Sequence, residues 1–365
     1  MILLAVLIIA ALIVQADPKD IAEKLRHADL RILAGVVALY LLNTVAKSLR
    51  WYALVISKGH GVPFSKVLLY FLIGLAVNNT TPGRIAGEPV RAYLLKTGTD
   101  YPMGWGMASI FLEKTIDTIV TISMALIGII LLIRVIPWSS TVTLLLSAGV
   151  VALFMGGLII LVAFPAGPRR LAAWVFARLR RGRGSDTVEG LERLVDGFLG
   201  TFEHGTRDIA RDRTKAMAAI GLTIIIWLNE TLRLWLVFLA LGYNISSELM
   251  LLTVTLSSFA ALLIPLGAGN SAAITVICGL AGVDGDLATT ASLVFVMTSI
   301  WLSVPLGASA MAFAGLRASE VLSRGVGMDD LDGGRGVEPE ARPEGDAEAL
   351  HVPDEQSVPD VPDPP

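Results

Sequence analysis

The run Asn78-Asn79-Thr80-Thr81-Pro82-Gly83-Arg84-Ile85-Ala86-Gly87-Glu88-Pro89-Val90-Arg91 limits the fold more than any other part of the chain. It follows an apolar stretch, Val67 to Val77, that is too short to cross a bilayer. Two prolines and two glycines lie between Pro82 and Pro89, with Arg84, Glu88 and Arg91 among and just beyond them. Among membrane segments, a backbone broken in this way is tolerated only where it is buried in protein or lines a water-filled cavity. Paired breaks of this kind point to a transporter's binding site.

The chain carries a second copy. A shift of 183 residues (265 − 82) sets Pro265-Leu266-Gly267-Ala268-Gly269-Asn270-Ser271 on the first break. It also sets Lys47-Ser48-Leu49-Arg50 on Glu230-Thr231-Leu232-Arg233 and Gly59 on Gly242, without a gap. Each half reads as a membrane helix with an arginine, a tight turn, a short helix, a Pro/Gly break and a long helix. The second long helix lacks the charges of the first, since Val296, Met297 and Ile300 stand where Glu113, Lys114 and Asp117 do.

With 54% hydrophobic residues and a mean hydropathy of +0.68, the composition is that of an integral membrane protein. The net charge of −3 hides an asymmetry. Residues 329–365 hold twelve Asp/Glu and two Arg, a net −10, so residues 1–328 carry −3 + 10 = +7. The single cysteine, Cys278, excludes an internal disulfide and reads as a small core residue.

The organisation that follows is all-α: a polytopic bundle of about eight membrane helices over residues 1–324. Its two repeats cover about 30–164 and 214–316, each with a re-entrant broken segment. Met1 to Ala16 reads as a first membrane helix, with a cleaved signal as the alternative. The loop 165–215 is rich in arginine and therefore cytoplasmic. Within it Val188, Leu191, Leu194, Val195, Phe198 and Phe202 recur at helical spacing, giving an amphipathic helix that lies on the membrane or packs beneath the bundle. Counting crossings outward from this loop gives parallel halves if the breaks return, and inverted halves if each adds a crossing. Residues 325–365 are Gly-, Pro- and acid-rich and read as a disordered tail.

Ionisable residues inside membrane helices are costly and by default mark a functional site. Here Lys47, Arg50, Arg84, Arg91, Lys114 and Arg233 stand against Glu88, Glu113, Asp117 and Glu230. A cavity so lined suits an anionic headgroup, because a guanidinium binds phosphate by a planar fork and a broken helix offers free N–H groups. The bland reading makes Lys47 and Arg50 interfacial anchors beside Trp51 and Tyr52, and the Glu113-Lys114-Asp117 set a structural ion pair. Arg84 is expected to pair with Glu113, with Arg91 as the alternative partner. No nucleotide-binding loop, GxSxG elbow or HExxH is present, and His27, His60, His204 and His351 are scattered, so neither a metal nor any other cofactor is expected. Nucleic acid is not an expected partner, because the loop arginines are scattered among glycines beside a bilayer.

Leu49-Arg50-Trp51, Asn79-Thr80-Thr81-Pro82-Gly83-Arg84, Gly87-Glu88-Pro89-Val90-Arg91-Ala92, the Glu113-Lys114 to Asp117 helix and Pro265-Leu266-Gly267-Ala268-Gly269 together resemble the flippase-like membrane domain of lysylphosphatidylglycerol synthases. A similar domain follows the catalytic part of some archaeal dolichyl-phosphate glycosyltransferases. The resemblance covers roughly residues 1–320 and implies an eight-helix bundle in the cell membrane that moves or handles lipids with polar headgroups. Its expected partners are membrane lipids, either anionic phospholipid or polyprenyl-phosphate-linked substrate, and a separate transferase. This chain departs from many relatives at Gly269-Asn270-Ser271, where they carry a Gly-Glu-like end. The candidate substrate-binding residues are Arg50, Asn79, Pro82, Gly83, Arg84, Gly87, Glu88, Arg91, Glu113, Lys114, Asp117, Glu230, Arg233, Pro265, Gly267, Gly269 and Asn270. The expected role is transport rather than catalysis, for no soluble transferase domain is present. The alternatives are a membrane enzyme using Glu113 or Asp117 as base or metal ligand, and a scaffold.

Overall fold

The structure, a computed structural model, describes residues 2–15, 18–56, 61–81, 84–99, 101–132 and 186–315. The described residues are helical, with no strand among them. The helices are α1 Ile2–Gln15, α2 Pro18–Arg26, α3 Leu30–Val55, α4 Phe64–Thr80, α5 Gly87–Gly98, α6 Met103–Leu132, α7 Asp186–Arg211, α8 Arg213–Ala240, α9 Ser247–Leu263, α10 Ala268–Leu280, α11 Gly285–Val296 and α12 Leu302–Phe313. A π turn, Met297–Trp301, joins α11 to α12. Aspartates start three of them: the carboxylates of Asp29, Asp212 and Asp284 accept backbone N–H groups of the first turns of α3, α8 and α11.

Leu30–Val55, Arg213–Ala240 and the continuous stretch Gly285–Phe313 are long and apolar enough to cross a bilayer. Helix α6 has thirty residues but carries Glu113, Lys114 and Asp117 within it. The expected total of about eight spans depends partly on 142–164, and the expected acidic tail is 325–365; both lie outside the described residues.

Helices α4 and α5 form a hairpin. Asn78 Oδ1 accepts the Gly87 N–H at 2.7 Å, and farther from the tip Tyr70 lies against Gly98. Gly87 is required here, because a Cβ would run into the Gly74 carbonyl and stand 2.7 Å from Asn78 Oδ1. At 1.5 Å per residue, seventeen and twelve residues reach only about 26 and 18 Å, short of the ~30 Å hydrocarbon core. Helices α9 and α10 make a second hairpin, with Gly269 against the Ala260 carbonyl near the tip and Thr253 within 4.0 Å of Cys278 farther along. The two tips touch: the Leu266 N–H donates to the Asn79 carbonyl at 3.3 Å.

Helices α3 and α8 pack side by side and antiparallel. Asp29 N–H meets the Ala240 carbonyl at one end, and Lys215 Nζ meets the Ile56 carbonyl at the other. The sequence leaves parallel and inverted halves both open. Both hairpins double back, yet the arginine-bearing helices that precede them run in opposite directions. Adding 183 to the bounds of α4 (64–80) gives 247–263, the bounds of α9, and adding it to 87–98 gives 270–281, against 268–280 for α10.

Two apolar clusters fill the bundle. One joins α8, α9, α10 and α11 and encloses Cys278; the other joins the end of α3 to α4, α5 and the start of α6. Amphipathic helix α7 packs on α6, with Phe202 5.5 Å from Phe111 and Gly205 against Trp105 and Ala108.

A charged cavity where the two broken hairpins meet

Between the hairpin tips lies a cavity of about 240 Å³. Its walls come from α3, α4, α5, α6, α8, α9, α10, α11, the first break and the π turn. The repetition of arginine on α3 and α8, and the fall of Glu113 and Asp117 one turn apart on α6, bring ionisable groups to this point from both halves.

The first cluster is an ion-pair ladder in the first half. Arg50 donates from Nη2 to Glu113 Oε1 at 2.8 Å and from Nη1 to Asp117 Oδ1 at 2.9 Å. Arg91 donates from Nη2 to Glu113 Oε2 at 2.6 Å and from Nη1 to Glu88 Oε2 at 3.1 Å, while Lys114 Nζ reaches Glu88 Oε1 at 2.9 Å. The arginine and Glu113 side chains are no more than 3% exposed, so each charge needs these partners to remain ionised away from water. Neutral donors complete the set: Trp227 Nε1 donates to Asp117 and Asn78 Nδ2 to Glu88, each at 3.0 Å. The Arg91 guanidinium also stacks 4.1 Å above the Trp51 ring.

The second cluster centres on Glu230, which takes Lys47 Nζ at 2.8 Å, Asn43 Nδ2 at 2.7 Å and Arg233 Nη1 at 2.7 Å. Arg233 is fully buried between the rings of Tyr40 and Phe295, 4.9 and 5.0 Å away, and its Nε and Nη2 have no partner among the described residues.

Arg84 stands apart. It is held by Asn79 Oδ1 and has no carboxylate partner among the described residues. The expected pairing of Arg84 with Glu113 is corrected: Glu113 belongs to Arg50 and to Arg91, the alternative partner. The reason is the hairpin. The return leg α5 lies along α6 and carries Arg91 to Glu113, whereas Arg84 remains at the turn.

Of the candidate residues, Arg50, Asn79, Arg84, Arg91, Glu113, Lys114, Asp117, Glu230 and Asn270 line the cavity. Glu88 supports Arg91 and Lys114, and Arg233 supports Glu230. Gly87, Gly267 and Gly269 shape the two breaks. Pro265 ends the second hairpin's first leg, its carbonyl accepting Ala268 N–H. Pro82 and Gly83 lie outside the described residues. Lys47, named among the intramembrane cations though not among the candidate substrate-binding residues, also lines the cavity, as do Tyr40, Asn78, Trp227, Ser257, Ser258 and Ser299, which the candidate set omitted. Asn78 could have been found, since it adjoins the break. The helix serines carry no comparable signal.

The six cations Lys47, Arg50, Arg84, Arg91, Lys114 and Arg233 face the four carboxylates Glu88, Glu113, Asp117 and Glu230, an excess of 6 − 4 = +2.

Apolar spans, paired broken hairpins and a charged interior define a multi-pass integral membrane protein. The chain belongs to the family described as Lysylphosphatidylglycerol synthase TM region, which matches residues 2–307. It is similar to a UPF0104 membrane protein of Methanothermobacter thermautotrophicus, 28% identical over 88% of this chain and 97% of the relative. A UPF0104 membrane protein of Pyrococcus horikoshii is 21% identical over 84% of this chain and 94% of its own length. Glycosyltransferase AglD of Haloferax volcanii is 25% identical over 67% of this chain, a match that covers 41% of that protein. No solved structure matches the chain.

Proposed function

We propose that this protein moves a lipid with an anionic headgroup, either a phospholipid or a polyprenyl-phosphate-linked sugar, across the bilayer through the cavity between its hairpins. The observation that carries this reading is the excess of two positive charges in a cavity built where two oppositely oriented broken elements meet. At 240 Å³ the cavity is small for a whole lipid and of the right order for a headgroup whose chains remain outside.

On this reading the two halves are inverted repeats, the architecture through which many transporters expose one midplane site to each side in turn. Three observations support it. The 183-residue shift carries the first hairpin onto the second, and α3 and α8 are antiparallel neighbours. Lys47 and Glu230, which form an ion pair, are themselves 183 residues apart, as positions close to a two-fold axis must be. The membrane-enzyme alternative would free Glu113 and Asp117 for chemistry, but Arg50 bonds to both.

The test is reconstitution into liposomes carrying fluorescent anionic lipids in one leaflet, with movement read by dithionite quenching. Protein-dependent movement that falls in Arg84→Gln and Asn270→Asp proteins is the expected result. Movement equal to that of protein-free liposomes for every anionic lipid tried would refute the reading.

A further inference from the structure

Most of the cavity's charges are already satisfied from within. Arg50, Arg91, Lys47 and Lys114 each hold a carboxylate at 2.6–3.1 Å. Among the described residues three lining groups are not satisfied in this way. Arg84 has only the neutral Asn79 side-chain carbonyl, Asn270, 6% exposed in the first turn of α10, has an Oδ1 without a partner, and so does the buried Tyr40 hydroxyl, which lies on the Arg233 side of the cavity. Since the oxygen and nitrogen of an amide are assigned rather than distinguished, Asn270 can present either to a ligand.

The backbone is unusual at both breaks, where Arg84 and Leu266 are the non-glycine residues with positive φ among those described. The φ of 51° at Arg84 lies in the left-handed region, which costs free energy for any residue with a Cβ. The position 183 residues on is Gly267, with φ 84° and no such cost. The first half keeps an arginine where the geometry favours glycine. Asn79 holds it there: its side-chain oxygen accepts from Arg84, its amide donates to Ser303 Oγ at 2.7 Å, and its backbone carbonyl accepts from Leu266. Arg84 is thereby tied to the second break and to α12.

We infer that Arg84, with Asn270 across from it at the N-terminus of α10, forms the headgroup subsite of the cavity, and that its ligand is a lipid phosphate carrying two negative charges, a phosphomonoester or a diphosphate. The charge count sets the class, since two negative charges neutralise the excess of +2, whereas a phosphodiester supplies one. The guanidinium offers the two-pronged contact that phosphate oxygens take, and the positive end of α10 adds to it. This inference rests on the proposed lipid-handling role and narrows it, leaving out the singly charged polyprenyl-phosphate-linked sugars and diester phospholipids, and it is tested by binding rather than by transport.

Purified full-length protein in dodecyl maltoside would be titrated with dioctanoyl phosphatidic acid, phosphatidylglycerol and phosphatidylcholine and with inorganic phosphate, read by native mass spectrometry and thermal shift. Phosphatidic acid should bind roughly tenfold more tightly than phosphatidylglycerol, with phosphatidylcholine and inorganic phosphate weaker still. Arg84→Gly, which suits the backbone, and Asn270→Asp, which gives the cavity its own negative charge, should keep a melting temperature near that of the wild type. Both should lose the preference for phosphatidic acid. Equal wild-type affinity for the three lipids, or an unchanged preference in folded Arg84→Gly protein, would overturn the inference. Inorganic phosphate binding as tightly as phosphatidic acid would assign the subsite to a soluble ion and overturn the lipid assignment. Selective binding without movement in liposomes would leave the subsite standing and refute transport instead.

Discussion

The pairing of Arg91 with Glu113 can be measured by a thermodynamic cycle. Both side chains are almost fully buried, 2.6 Å apart, and each has a second ionic partner: Glu88 for Arg91 and Arg50 for Glu113. Glu113→Gln keeps the shape but removes a charge shared by two arginines, and Arg91→Met removes a cation along with its stacking on Trp51. Removing one member of a buried pair costs about 3–5 kcal/mol, because the other is left uncompensated. If the two losses were independent, the double variant would lose about 6–10 kcal/mol. A shared bond predicts instead that the second substitution costs little once the first is made, with a coupling of at least about 1.5 kcal/mol. Stability would be followed by SDS titration in mixed micelles. Arg84→Gln with Glu113→Gln is the control, since these residues share no bonding partner among those described and should be additive within about 0.5 kcal/mol. Additivity at Arg91 and Glu113, or a coupling at Arg84 and Glu113 as large as theirs, would refute this assignment of partners.

Glu230→Gln should destabilise by about 3–5 kcal/mol, and Lys47→Met by under about 2 kcal/mol, in the same titration. Glu230 satisfies both Lys47 and the fully buried Arg233, whereas Lys47 is a quarter exposed. Gly87→Ala should cost about 1–3 kcal/mol by forcing the α4–α5 hairpin apart at the Gly74 carbonyl, while Gly35→Ala, with open space around it, should cost under about 0.5 kcal/mol.

The breaks were legible because Pro and Gly act locally: a helix that reaches Thr81-Pro82-Gly83 or Ile264-Pro265 must end, and both do. The charged residues were legible because hydrophobic segments make them conspicuous. Which arginine meets Glu113 was not, because that depends on how the chain folds back at the break and not on its spacing along the sequence. The antiparallel relation of α3 and α8 was hidden for the same reason. The π turn at Met297–Trp301 left only a partial trace, Pro305, whose ring would crowd the carbonyl of residue 301 in a regular helix. That turn presents Ser299 and Ile300 to the cavity, and Trp301 bonds back to the Leu266 carbonyl at 3.0 Å.

The two halves solve the same problem differently, and the difference bears on movement. At positions 183 residues apart, Arg50 has its counterpart in Arg233, but Glu113, Asp117, Arg91 and Glu88 correspond to Val296, Ile300, Ile274 and Ser271. The first arginine is bound to carboxylates on α6. The second is held by Glu230 one turn away on its own helix and by two aromatic faces. Parting α3 from α6 therefore breaks charge pairs whose Arg50 and Glu113 members are buried, whereas parting α8 from α11 breaks a ring contact and leaves the Arg233–Glu230 bond intact. If the halves are inverted repeats, the cavity is locked on one side by charge and closed on the other by apolar packing. If the protein moves a lipid as proposed, a doubly charged headgroup held at Arg84 and Asn270 leaves the bonds of Arg50 and Arg91 to Glu113 and Asp117 in place, so parting α3 from α6 requires a further counter-charge.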